Sequence, residues 1–509
     1  MPQRDPARLP PPGMTPAPRR GPALALVATG SLLVASCAGP ARPNILLVVI
    51  DTARADRFST NGYARDTTPA IAALGREGAV YLNAYASSPW TVPSHASLFT
   101  GLYPSSHGAD SGRLKLDDQL PFLASRMKAA GYTTIACVGN PWVGKDYNFH
   151  IGFDIFDEIW REVGDTAEDA GAGTISERMT LWLTRRAHHE KARSKPFFVF
   201  INYFEPHLPY NPPEPERSRF LARGPGPQAG AGGESEKDAA EHLRHFSPKD
   251  IVRQILGVSP LSRDGFRILS DLYDGEIAYV DRRLGEVIGL LRQHGLLDDT
   301  VVVVTSDHGE MLGEHDLVDH RLSLYEPVLR IPLVIRYPWA VRFGQRLDTP
   351  VLLQDLYPTL LWVAGIRDPQ GAGPSPIGDG PPEARPLPGF RGLDTLPPRG
   401  RSASDPLIAE YAFPGEFLVV MRVLMTGHDT TPWERSQVAF RVAERKLIWG
   451  SDGRNQLFDL RSDPAEVNDV AGMQGDQVSE YSRGVSGWLQ RPTARPPLAT
   501  QAPGAATGR

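Results

Sequence analysis

A large α/β fold is predicted, with a mixed but mostly parallel sheet, helices on both of its faces and a small α+β unit after it. Two observations carry this: wholly apolar strand-length segments that end at polar residues recur along the chain, and helical patterns separate them. NILLVVID (44–51) is the first such segment, patterned like a parallel strand buried on both faces. TTIACV (133–138) follows a helical stretch at 123–130, and FFVFIN (197–202) leads into YFEPHLPY. VVVVTSD (301–307) follows a long helical pattern at 277–294, and IPLVIRY (331–337) completes the set. Ligands of such a sheet gather where the strands end.

Ahead of the first strand, 21–36 is an apolar run behind Arg19-Arg20, too short for a membrane span but suited to a signal-peptide core. It closes as Val34-Ala35-Ser36-Cys37, which resembles the bacterial lipobox. The resemblance implies that 1–42 is a lipoprotein signal and tether, with Cys37 lipidated and the protein exported to the periplasmic or cell-surface side of a bacterial membrane. A plain cleaved signal, an unprocessed anchor and twin-arginine export through Arg19-Arg20 are the alternatives, and Met14 is an alternative start. The other cysteine, Cys137, lies in a strand and reads as a core thiol.

Residues 43–367 read as the catalytic domain, 368–390 as a Pro/Gly-rich linker, 391–482 as a C-terminal subdomain and 483–509 as a disordered tail. Within the subdomain, 439–460 is patterned as strands of a small antiparallel sheet. With 41% hydrophobic and 22% charged residues the chain is globular, and a net charge of −5 supplies no basic field for nucleic acid.

SSPWTVPSHASLFTGLYPSSHGA (87–109) places a hydroxyl, Thr91, at a turn that opens a short helix, with Pro93 suited to the first helical turn. Free N–H groups and the positive end of the helix dipole favour an anion there. A Ser/Thr-rich turn that merely caps a helix is the alternative for TVPSH alone. Attack by a neutral hydroxyl on a charged ester calls for a divalent cation, so carboxylates and imidazoles at strand ends are the expected companions. Asp51 ends the first strand, Asp307 and His308 end the four-valine strand, and His207 follows FFVFIN.

These motifs resemble the sulfatases and their relatives in the alkaline phosphatase superfamily. Sulfatases read C/S-x-P-S-R and then LLTG; this chain has Thr91-Val92-Pro93-Ser94-His95 and then Leu98-Phe99-Thr100-Gly101. Threonine cannot become formylglycine, and the Thr form is similar to the nucleotide pyrophosphatase/phosphodiesterase branch. The resemblance implies that Asp51, Asp307, His308 and Thr91 hold one divalent metal (Ca, Mg, Mn or Zn), although Thr52 stands where sulfatases have a second aspartate. It implies His207 and His320 as catalytic groups near the ester, and His95, Asn140 and Arg321 as substrate-binding groups; many sulfatases have a lysine where His320 or Arg321 stands. His320 with Glu205 or His207 would serve a second metal. Glu314, His315 and Glu326 read as structural. LFDLRSDPAEVND (457–469) resembles the closing motif of the family.

The expected activity is metal-dependent hydrolysis of a small-molecule or envelope anionic ester, with phosphodiesters or phosphonate monoesters favoured. The alternatives are a sulfate ester hydrolase, an envelope phosphoethanolamine- or glycerol-phosphate-type transferase, and a binding lipoprotein without catalysis.

Overall fold

The computed structural model describes residues 42–110, 112–163, 169–189, 194–221, 236–366 and 404–491. An eight-stranded sheet runs in the order Gln345–Leu347, Ala79–Tyr81, Leu333–Arg336, Thr300–Thr305, Asn44–Ile50, Phe197–Tyr203, Thr133–Val138, Ile155–Glu158. From Thr300–Thr305 to Ile155–Glu158 all neighbours are parallel. Leu333–Arg336 is antiparallel to both strands beside it, which makes the sheet mixed. The apolar segment at 331–337 is not one strand: Pro332, which has no N–H for a ladder, separates Arg330–Ile331 in a second sheet from Leu333–Arg336.

Apolar residues along the whole length of the central strands follow from having a core on each side. Ile45, Leu47 and Val49 join one core with Phe198, Phe200, Val301 and Val303. Leu46, Val48 and Ile50 join the other with Val199, Ile201, Val302 and Val304. Helices Thr91–Thr100, Leu123–Ala129 and Leu356–Val363 contribute to the first core, and Pro69–Arg76, Ala172–His188 and Arg263–Gln293 to the second. Phe99 anchors the first of these helices, its ring 4.9 Å from both Phe122 and Phe200. Truncating a core side chain of that size costs about 3–5 kcal/mol, so the helix has one well-defined seat.

Strands Leu407–Tyr411, Gln437–Val442, Arg445–Gly450 and Gln456–Asp459 form a four-stranded antiparallel sheet in chain order. Helix Gly475–Leu489 continues past residue 482 and Trp488 packs against Tyr103 with ring centroids 4.6 Å apart, so 483–489 is not tail. Amphipathic spacing ending in Val485, which is buried, was the overlooked signal. Between residues 211 and 265 lie helices Glu216–Leu221, Glu236–Leu243 and Pro248–Ile255. Cys37 and the linker 368–390 lie outside the described residues.

Candidate active site

Strand register brings separate segments to one point. Ile50 pairs with Tyr203 and Val49 with Thr305, so Asp51 and the Asp307–His308 pair leave the sheet side by side. Thr91 is the first residue of its helix, and Ser94 in the same turn donates from Oγ to the Asp307 carbonyl at 2.6 Å. Gly101, at φ 73°, ends that helix in the left-handed conformation usual for a C-terminal glycine.

Thr91 Oγ1 lies 3.5 Å from His308 Nε2. His308 Nδ1 donates to the Gly309 carbonyl at 3.0 Å, so Nε2 is the nitrogen that faces Thr91 and, at 3.2 Å, Asp307 Oδ2; burial lowers the pKa of the ring, but the Asp307 and Asp51 carboxylates outweigh it and raise it above the ordinary histidine value. Asp51 Oδ2 accepts from Asn140 Nδ2 at 2.6 Å and from Asn202 Nδ2 at 3.4 Å, whereas Oδ1 has no hydrogen-bond partner. Asp307 Oδ1 accepts from the backbone N–H of Thr52 at 3.1 Å and of His308 at 2.9 Å; its Oδ2 has no hydrogen-bond partner.

Both carboxylates are 0% exposed. Burial and then the neighbouring Asp307 charge push Asp51 well above the usual carboxylate range. Burial pushes Asp307 the same way, but the imidazoles of His308 and His95 outweigh it and hold its carboxyl below that range. Two adjacent buried carboxylates, of which Asp51 leaves Oδ1 without a partner and Asp307 has imidazoles at Oδ2, are costly without a cation between them. Carboxylate oxygens, an imidazole nitrogen and a hydroxyl make a donor set that suits a divalent ion. Among the described residues, Asp51, Asp307 and His308 have ligand atoms within 4.8 Å of one another, and so do Glu310, Asp319 and His320.

The other expected site residues are distributed differently. His207 and His320 do come together, with rings 5.4 Å apart, and the His320 ring lies 4.3 Å from that of His308. Burial lowers His207 to about 4 and lowers His320 well below the usual histidine range. Three residues expected to touch the ester are committed elsewhere. His95 turns Nδ1 to the Thr91 carbonyl at 3.0 Å and toward Asp307 Oδ2 at 3.5 Å, with its ring edge-on to Phe149 and Phe200. A short imidazole cannot reach as an arginine would, so it braces the nucleophile's turn instead. Asn140 gives Nδ2 to Asp51 and takes the Trp142 N–H on Oδ1 at 2.8 Å. Arg321 pairs with Asp319 and lies 4.1 Å over the Phe417 ring.

Glu205, considered beside His320 for a second metal, instead accepts the Ala172 N–H at 3.1 Å. Burial and then Asp169 raise it to about 8. Glu314 pairs with Arg54 at 2.8 Å, His315 stacks on Tyr325 and Glu326 pairs with Lys446. Asn202, Glu310 and Asp319 were missed. A signal existed for two of them: Asn202 is the polar residue ending FFVFIN, and Glu310 is the last letter of TSDHGE.

A family model described as sulfatase matches residues 43–366. The chain is 30% identical over 458 residues to the uncharacterized sulfatase YidJ of Escherichia coli, covering 84% of this chain and 83% of that protein. It is 26% identical over 469 residues to arylsulfatase K of Xenopus laevis, covering 87% of this chain and 81% of the relative. Among solved structures it is similar to the phosphonate monoester hydrolase of Agrobacterium radiobacter, with a TM-score of 0.64 at 20% identity over 88% of this chain and 95% of the other. The chain belongs to the sulfatase family, with the alkaline phosphatase-like fold, and is a hydrolase of sulfuric or phosphoric esters.

Proposed function

We propose that the protein hydrolyses a phosphodiester or phosphonate monoester with the Thr91 hydroxyl as nucleophile. One observation carries the proposal: Asp51 Oδ1 and Asp307 Oδ2, both buried and without hydrogen-bond partners, belong to the cluster whose His308 Nε2 lies 3.5 Å from Thr91 Oγ1. Asp51, Asp307, His308 and Thr91 would hold a divalent cation, which supplies a lowered hydroxyl pKa and cancels ester charge when bound. Asn140 and Asn202 hold Asp51, and the Thr52 and His308 N–H groups hold Asp307, so the carboxylates are set before a substrate arrives. Helix Thr91–Thr100 directs its N-terminus at the anionic ester. His320 adjoins His308 and His207 adjoins His320, so in this reading they are the imidazoles available to assist the departing oxygen.

Threonine at 91 supports a phosphorus centre over sulfate, because it replaces the cysteine or serine from which sulfatases make formylglycine. Sulfate ester hydrolysis is the competing reading, favoured by the sulfatase relatives. Purified protein supplied with divalent ions should turn over bis-p-nitrophenyl phosphate or p-nitrophenyl phenylphosphonate faster than p-nitrophenyl sulfate, and the reverse order would reassign the substrate. Thr91→Ala should lower kcat by about 10³-fold or more while leaving the fold, and the metal content held by Asp51, Asp307 and His308, nearly intact; undiminished turnover removes Thr91 from the chemistry.

A further inference from the structure

We infer that Glu310 is a positioning residue that sets the His320 imidazole in the site, an inference that rests on the hydrolase reading above. Glu310 directly follows Gly309 on the segment that carries Asp307 and His308, and the chain then enters the hairpin Met311–Leu312 with Val318–Asp319. That hairpin pairs Met311 with Asp319, so the residue before one strand and the residue after the other, Glu310 and His320, meet across its open end. There Glu310 Oε1 lies 3.1 Å from His320 Nδ1. Glu310 is 0% exposed, and its Oε2 makes no hydrogen bond.

The backbone beneath His320 is fixed as well. Asp319 sits at φ 74°, where its Oδ1 accepts the N–H groups of His320 at 2.6 Å and of Arg321 at 3.0 Å. The Arg321 guanidinium closes on the same carboxylate, which is thereby neutralised. Of the two carboxylates beside His320, Asp319 is taken by the Arg321 guanidinium, whereas Glu310 meets the imidazole nitrogen at 3.1 Å and has the Tyr210 hydroxyl near it.

His320 Nδ1 faces two carboxylates, and the Glu310 Oε1 contact at 3.1 Å is closer than Asp319 Oδ1 at 3.7 Å, so it is the one that sets how the ring is turned. With Nδ1 occupied, Nε2 is the nitrogen left to meet a ligand, and the ring is held beside His308, 4.3 Å away, and His207, 5.4 Å away. A lysine in this place would reach an ester oxygen on a flexible stem, whereas an imidazole must be aimed. Glu310 does the aiming, through a hydrogen bond that spans ten residues of sequence.

The test is a double-mutant cycle on the ester that the wild-type protein turns over fastest, with kcat, KM and bound metal measured for each variant. Glu310→Leu should lower kcat about 10- to 100-fold with KM and metal content near wild type. Glu310→Gln, which retains an acceptor at the same reach, should restore most of the loss, and Glu310→Asp, one methylene shorter, should not. In a His320→Ala background the Glu310 substitutions should have no further effect. Should Glu310→Leu fail to fold, the contrast between Gln and Asp carries the test.

Additive losses at Glu310 and His320 would overturn the inference, and so would loss of bound metal in Glu310→Gln, which would make Glu310 a ligand. Thr91→Ala, assayed alongside, separates the two readings. Retained activity there sinks the hydrolase mechanism itself, whereas additivity in a Thr91-dependent enzyme sinks the positioning role alone.

Discussion

Two buried ionic clusters in this molecule contain two acids each and have opposite structures. At the carboxyl ends of the central strands, Asp51 and Asp307 have imidazoles and amides around them; Asp51 Oδ1 has no hydrogen-bond partner, and Asp307 Oδ2 faces the His308 and His95 imidazoles at 3.2 and 3.5 Å. Where the C-terminal sheet meets the catalytic body, Lys446 Nζ lies 3.0 Å from Glu326 and 2.8 Å from Glu466, and Arg441 lies 3.2 Å from Glu326. The Glu326 N–H also donates to Glu466 Oε2 at 2.6 Å, so this cluster supplies its own cations. Charge balance built from the chain's own residues marks a structural joint. Charge left unbalanced at the ends of strands marks a place made for something else.

The largest expected effect comes from removing a charge from the unbalanced cluster. Asp307→Asn should lower turnover by about 10²-fold or more and abolish divalent ion binding, measured by elemental analysis. Added divalent ion should raise the melting temperature of the wild type and not of this variant, because only the former has a folded-state site to fill. A variant that binds and is stabilised as the wild type does would break the contrast between the clusters.

Lys446→Met should do the reverse. It leaves Glu326 and Glu466 buried without their cation, a change worth about 3–5 kcal/mol of stability, measurable by urea unfolding. Metal content and kcat per folded molecule should stay at wild-type values, and a selective fall in either would link the joint to catalysis.

A third arrangement sharpens the comparison. Among the described residues Glu205 has no salt-bridge partner, and it meets its burial by keeping a proton, its carboxyl raised from 4.5 to about 8 by burial and then by Asp169. Between those values the folded protein holds a proton that the unfolded chain has lost, so this group makes stability fall as pH rises from about 5 to 8. Glu205→Gln should therefore melt higher than the wild type at pH 8 by a few degrees and show little advantage at pH 5. An equal gain at both values would mean that Glu205 does not titrate in this window.

The smallest effect should come from the support of the first cluster. Asn140→Ala removes the 2.6 Å donor to Asp51 and should weaken divalent ion affinity about 10-fold, measured by titration calorimetry, without changing stoichiometry. A wild-type affinity would mean that the Asn202 contact at 3.4 Å suffices to hold the carboxylate.

Much of this was legible in the chain because the site sits where strands end. Buried strands must be apolar throughout, so the first acid after NILLVVI and the Asp-His pair after VVVV stand out against their background. Thr91 was legible for a related reason, being a hydroxyl at the mouth of a helix marked by Pro93. Residue types alone could not say which partner each side chain takes. His95, Asn140 and Arg321 are all polar enough to bind an ester, and the fold uses them on Thr91, Asp51 and Asp319 instead.

Alternating apolar strands and helical patterns determined the class of fold, the mostly parallel sheet and the identity of the cluster at the carboxyl ends of its central strands, because burial on both faces imposes composition locally. Tertiary structure decided what no local pattern encodes: the reversal of Leu333–Arg336, the closing of Arg321 onto Asp319, and the hairpin that sets Glu310 against His320. Such pairings depend on distances between segments far apart in the chain, and hydrogen bonds and charge act over ångströms of space whatever the separation in sequence.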